Sequence, residues 1–145
     1  MRYLGIDYGL RRTGLALSDP DGKLAFPLAT LDLASFPNRA GLLDALAQIA
    51  IRNNAEALVM GLPLHGDGSE SETSRQVRNA SQRIMRRLPL PMYLMPEYLS
   101  SACAESELKE AGLRGSRLRA ALDQQAACRI LASFLEQPDH LRMRA

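Results

Sequence analysis

The sequence predicts an α/β domain on a mixed five-stranded sheet, three antiparallel strands followed by two parallel ones, with helices on its faces. Three observations point there. Short apolar runs with tight turn signals fill residues 3–31. From Leu42 onward apolar residues recur at helical spacing. Thereafter strand-like and helix-like segments alternate, which implies parallel crossover connections within one sheet.

In chain order, Tyr3 to Asp7 is a short apolar run that stops at an acid and a Tyr8-Gly9 turn. Thr13 to Ser18 is a second strand, closed by the turn residues Asp19-Pro20-Asp21-Gly22. Lys23 to Leu31 is a third, and Pro27 marks it as an edge strand or a bulge. Leu42, Leu43, Leu46, Ile49 and Ala50 form a helical stripe, with Pro37 suited to its first turn. Ala57 to Gly61 reads as a buried strand, followed by a loop from Leu62 to Gly68. Ser69-Glu70-Ser71-Glu72 matches a capping box and opens a helix to about Leu88. Pro91 to Met95 is the fifth strand. Helical patterning covers Ser101 to Ala111 and breaks at Gly112. A final helix carries Leu118, Leu122, Ala126, Ile130 and Phe134 at i,i+4 spacing.

The 145 residues suit one domain, 1–145, with no repeat, low-complexity tract or linker to divide it. A hydrophobic fraction of 46% and a charged fraction of 23% are ordinary globular values and argue against global disorder. The net charge of +2 permits a nucleic-acid partner without requiring one. Any footprint must come from clustering, as at Arg11-Arg12, Arg83/Arg86/Arg87 and Arg114/Arg117/Arg119. Cys103 and Cys128 lie in helical patterns and read as buried reduced thiols. The isolated His65 and His140 make a zinc site improbable. The N-terminus lacks the apolar stretch of a signal peptide, and no segment is long enough to span a membrane. The expectation is a cytoplasmic protein without a membrane partner.

Asp7 ends an apolar strand, where a carboxylate is costly unless something compensates it. It opens D-Y-G-x-R-R-T-G, in which Gly9 and Gly14 flank Arg11, Arg12 and Thr13. Glycines let the backbone approach a phosphate and the arginines supply charge, so Gly9, Arg12 and Thr13 are candidate substrate contacts. Glu97 follows the fifth strand, and Asp123 sits on or beside the apolar stripe of the last helix. Glu105, four residues before Lys109, reads as an ordinary helix-surface acid. If the first strand neighbours the parallel pair, Asp7, Glu97 and Asp123 converge. Three such carboxylates need a cation to stay ionised. Magnesium, or manganese, is the natural choice, and two ions about 4 Å apart suit phosphodiester hydrolysis.

Four blocks carry a family resemblance across nearly the whole chain: LGIDYGLRRTGLALSD at 4–19, GLPLHGDGSE at 61–70, PEYLSSACAE at 96–105 and ALDQQAACRIL at 121–131. Together they resemble the YqgF/RuvX family of RNase H-like proteins, described as Holliday junction resolvases and as nucleases that process the precursor of small-subunit ribosomal RNA. The resemblance implies an RNase H-like fold and a catalytic and metal-binding triad of Asp7, Glu97 and Asp123. It also places the loop with Gly61, Leu62, Pro63, Asp67 and Gly68 beside the substrate groove. The family usually has Asp-Glu-Arg where this chain has Pro96-Glu97-Tyr98, and often a lysine just before the last-helix Asp, where Ala121 and Leu122 stand. Arg117 or Arg119 stands about a turn earlier.

The leading expectation is a metal-dependent hydrolase cleaving structured nucleic acid. A precursor of 16S ribosomal RNA is favoured over branched DNA, and Arg12, Arg78 and Arg119 would contact phosphates. Ribosomal precursor particles are candidate partners, and the protein would act as a monomer or a homodimer. A nucleotide-binding module using the D-Y-G-x-R-R-T-G loop is an alternative, disfavoured by the single domain and the absence of GxxxxGK[ST]. A non-catalytic RNA-binding assembly factor is another, motivated by Tyr98 and Ala121.

Overall fold

A computed structural model describes residues 1–97 and 115–145, apart from the side chain of Ser116. The helix expected from Ser101 to Ala111, its break at Gly112, and Tyr98, Cys103 and Glu105 lie outside the described residues. The strands are β1 (Tyr3–Tyr8), β2 (Arg12–Ser18), β3 (Ala25–Asp32), β4 (Ala57–Pro63), β5 (Met92–Glu97) and β6 (Met143–Arg144). The helices are α1 (Arg39–Arg52), α2 (Glu72–Met85) and α3 (Gly115–Glu136).

The sheet order is β3-β2-β1-β4-β5-β6. Strands β1, β2 and β3 form the expected antiparallel meander, and β4 and β5 add in parallel beside β1. Pro27 lies on the edge strand, where the β2–β3 register shifts between Leu15 and Ala16. The fold is thus RNase H-like as expected, with one correction: among the described residues the sheet has six strands, not five. The two-residue β6 pairs antiparallel with β5, Tyr93 opposite Arg144 and Leu94 opposite Met143. Two exposed residues carry no periodicity to betray a strand.

Local chemistry adjusts two helix starts. Asn38, not Pro37, opens α1, and its side chain accepts from the Gly41 amide. The capping box of α2 is Ser71 with Ser74, two residues beyond the expected start at Ser69. The Ser69 amide and hydroxyl are instead taken by Asp67 Oδ1, at 2.9 and 2.6 Å. Among the described residues no helix is long and apolar enough to cross a membrane. Cys128 is a free, half-buried thiol.

Alternation along the strands sorts the sheet into two faces. Leu4, Ile6, Leu15, Leu58, Met60, Leu62, Met92 and Leu94 pack against Leu42, Leu43 and Leu46 of α1 and Val77 and Ile84 of α2. The opposite face offers Tyr3, Ala16, Ala57 and Val59 to Ala127, Ile130, Leu131 and Phe134 of α3. That face is lined with small residues, so α3 lies close on it. A Cβ added at Gly5 would stand 2.8 Å from Leu131 Cβ and 3.1 Å from the Ala127 carbonyl oxygen. The far end of α3 is fastened by Phe134, whose ring lies 5.4 Å from Tyr3 and 5.0 Å from Tyr93, centroid to centroid.

Candidate active site

The same alternation places Asp7 and Glu97 on the α3 face. Asp7 is two residues beyond Gly5 on β1, and Glu97 ends β5 opposite Pro63 of β4. The Glu97 carbonyl accepts from the Leu64 amide at 3.0 Å, which carries the parallel ladder to the edge of the site. Across β2, Asp7 pairs with Gly14. Gly14 lies directly against the backbone of Asp123, where any Cβ would collide with the Asp123 carbonyl. The glycine in the first motif therefore sets how closely α3 brings its aspartate to β1.

The electrostatics follow from this proximity. Burial pushes the Asp7 carboxyl up from 3.8 to about 6, and the charges of Asp123 and Glu97 push it the same way. Arg129, one helical step from Ile130 on α3, opposes them. Burial also raises the Asp123 carboxyl, against the pull of Arg12 and with the help of Asp32. Arg12 Nε donates to Asp123 Oδ2 at 2.9 Å, in a pair whose side chains are only 27% and 20% exposed. Among the described residues, no three of His, Cys, Asp and Glu are gathered tightly enough to hold a metal ion in this conformation.

The remaining expected contacts take varied places. Arg119 is exposed and lines a cleft of about 400 Å³ with Arg11, Arg12, Thr30, Asp32 and Arg117. Arg11 Nε lies 3.9 Å from Asp32 Oδ1 in this cleft. Arg78 forms a fork to Glu70, Nε to Oε1 at 2.6 Å and Nη2 to Oε2 at 3.0 Å. Asp67 is exposed and organises the turn after β4, its carboxyl held low by the Ser69 hydroxyl and amide. Gly61 lies under Ile130, whose side-chain tip would have to shift to admit a Cβ. Gly9 allows the β1–β2 turn, since a Cβ there would meet the Arg12 carbonyl. Thr13 is fully buried, its Oγ1 has no hydrogen-bond partner, and the pleat turns it to the face away from Asp7.

Two further arginines support the site and were not singled out from sequence. Arg129 stands in the ALDQQAACRIL block as a charge among small and apolar neighbours, which is a readable signal. Arg39 has no such signal. It donates to the Tyr8 hydroxyl at 2.6 Å and to the Leu10 carbonyl at 2.7 Å, and so holds the β1–β2 turn from the first residue of α1.

Comparison with known proteins agrees with this architecture. A family model, RuvX, described as Holliday junction resolvase, matches residues 1–137. The chain belongs to the RuvX family. A relative from Nitratidesulfovibrio vulgaris strain Miyazaki F, named "Putative pre-16S rRNA nuclease", is 51% identical over 142 residues, 98% of each chain. A protein of the same name from Neisseria gonorrhoeae is 39% identical, over 92% of this chain and 86% of its own. Among solved structures, Thermus thermophilus RuvC in complex with a Holliday junction substrate superposes with a TM-score of 0.60 at 19% identity, covering 100% of this chain and 99% of that one. At that identity the likeness bears on the fold alone. The expectation of a phosphodiester-acting nuclease agrees with the family and with the names of these relatives.

Proposed function

We propose that this RuvX-family protein is a divalent-metal-dependent nuclease that processes the precursor of 16S ribosomal RNA, with Asp7, Glu97 and Asp123 as its catalytic carboxylates. The observation that carries the site is Asp7, a buried acid whose ionisation two other carboxylates oppose. A fold keeps such a residue when a cation joins it. The donors are all carboxylate oxygens, which suit magnesium or manganese better than softer metals. Asp7, Glu97 and Asp123 would hold the ions, two by the chemistry of phosphodiester hydrolysis. Ions held there would supply Lewis-acid activation of water and charge stabilisation at the leaving oxygen.

The protein's own groups do the rest. Gly14 admits α3 so that Asp123 comes close enough for its charge to act on Asp7. Arg39 fixes the loop between β1 and β2. Arg11, Arg117 and Arg119 offer guanidinium groups at the mouth of the cleft, where a phosphodiester backbone can be gripped in bidentate fashion. Substrate choice leans on the relatives' names, and the setting would be cytoplasmic, on ribosomal precursor particles, as a monomer or a homodimer. The family's description supports a second reading, cleavage of four-way DNA junctions.

The deciding experiment offers end-labelled precursor ribosomal RNA and a four-way DNA junction to the parent protein and to Asp7→Asn, with magnesium, manganese or EDTA. Metal-dependent cleavage of the RNA, reduced at least about a thousandfold in the variant, is expected. Preferential cleavage of the junction would move the substrate to DNA. Binding without cleavage in any metal would overturn the enzyme and leave an RNA-binding module.

A further inference from the structure

Arg12 has two competing uses. Its guanidinium bonds Asp123 at 2.9 Å, yet the same side chain lines the cleft shared with Arg11, Arg117 and Arg119. Asp123 cannot withdraw from that pair by moving its backbone. Gly14 lies against its carbonyl, Thr30 Oγ1 donates to the Ala120 carbonyl at 2.8 Å, and Gln124 Nε2 donates to Thr30 Oγ1 at 3.2 Å. The movable partner is the arginine, which has a long side chain and an open cleft beside it. Four guanidinium groups face one lining carboxylate, Asp32, so the cleft favours a polyanion. Among the described residues, Asp7, Glu97 and Asp123 do not form a cation cage in this conformation, in which Arg12 is bonded to Asp123.

We infer that Arg12 is a positioning residue that exchanges Asp123 for a backbone phosphate of the nucleic acid, so that substrate entering the cleft releases Asp123 to join Asp7 and Glu97 around the cation. This rests on the nuclease reading and adds an order to it. Without substrate, Arg12 is the counter-ion of Asp123 and weakens the metal site. With substrate, phosphate replaces the carboxylate in the arginine fork, and metal and nucleic acid reinforce each other. The coupling is reciprocal: the factor by which RNA raises metal affinity equals the factor by which metal raises RNA affinity.

The test measures Mn²⁺ binding to the full chain by the electron paramagnetic resonance of the free ion. It is run with and without a phosphorothioate RNA hairpin that a gel shows to be intact after each titration. The parent should bind Mn²⁺ about tenfold more tightly once the hairpin saturates it, the scale set by one charge-assisted hydrogen bond. Arg12→Ala should bind Mn²⁺ about tenfold more tightly than the parent without RNA, and gain less than about twofold from adding it. Arg12→Gln serves as the second variant should alanine disturb folding, which circular dichroism checks. If both variants bind Mn²⁺ no more tightly than the parent in the absence of RNA, the exchange is overturned. Asp7→Asn, measured alongside, separates the two levels of the argument. Should the parent bind no Mn²⁺ in either condition, the carboxylate site and the exchange fall together. Should the parent bind, Asp7→Asn fail to bind and both Arg12 variants match the parent, only the exchange falls.

Discussion

On β1, Leu4 and Ile6 point to one face of the sheet while Gly5 and Asp7 point to the other, and these alternating residues meet very different surroundings. Leu4 and Ile6 are fully buried among leucines, Met60 and the apolar sides of α1 and α2. Gly5 and Asp7 meet a single helix that lies close because glycines at positions 5, 14 and 61 leave the sheet without side chains where it passes. The first face gathers hydrophobic area and makes the fold stable. The second gives up area at Gly5, Gly14 and Gly61 and accepts a buried acid whose charge is disfavoured. One strand thus separates residues that stabilise from residues that are held in place at a cost, and substitutions on the two faces should differ in kind.

The largest expected loss of stability lies on the apolar face. Met60→Ala leaves a cavity in a fully buried position and should cost about 2–5 kcal/mol in urea unfolding. Cleavage per folded molecule should persist, since Met60 points away from Asp7. A variant of normal stability would show that this core can collapse around the gap.

Asp7→Asn should act in the opposite direction. The folded carboxyl titrates at about 6, above the 3.8 of the unfolded chain. Below about pH 3.8 the group is protonated in both states and no penalty exists. As pH rises from 3.8 through 6 the unfolded chain ionises first, so the metal-free fold loses stability, levelling at about 3 kcal/mol above that window. In EDTA at pH 7 the asparagine variant should therefore unfold at higher denaturant than the parent, while cleaving nothing. Added magnesium should stabilise the parent and leave the variant unmoved. Equal unfolding midpoints in EDTA would mean that burial and the neighbouring carboxylates do not penalise the Asp7 charge as described.

Gly14→Ala comes next in size. The added methyl meets backbone, which cannot rotate aside, so α3 must shift at Asp123. Overpacking of this kind costs about 1–3 kcal/mol. Cleavage should fall far more than the stability loss alone predicts. A variant with full activity would show that the site tolerates displacement of α3.

How much of this was legible in the sequence depends on the range over which each feature is determined. The three leading strands, α1, β4, α2, β5 and α3 follow from periodicity, which is local, and Asp7, Glu97 and Asp123 draw notice as acids at strand ends and on an apolar helix, their proposed roles coming from the family resemblance. What escaped is decided at long range or by competition. Arg12 reads as a phosphate contact in its motif, yet its partner Asp123 lies 111 residues away. Ser69 and Ser71 both offer a capping pattern, and Asp67 settles the matter by taking Ser69 for the preceding turn. Thr13 sits between two plausible contacts, but a strand turns successive side chains to opposite faces, and its turn falls toward the core.

The smallest effects concern the arginines outside the triad, where the comparison becomes one between a paired cation and a cleft cation. Arg78 is engaged in a fork with Glu70, with both side chains close to half exposed. Exposed pairs contribute about 0.2–1 kcal/mol, so Arg78→Ala should shift the unfolding midpoint little. To reach a phosphate Arg78 must first leave Glu70, which makes it the weaker contact of the two. Arg119 lines the cleft beside Arg12 and is exposed, so Arg119→Ala should leave stability unchanged within about 0.5 kcal/mol. It should lower the slope of RNA affinity against salt by about one, the loss of a single phosphate contact. Fluorescence anisotropy across a salt series measures both variants. If Arg78→Ala reduces the slope as much as Arg119→Ala, the nucleic acid also runs over the turn after β4 and α2, and the basic cleft is one end of a longer track.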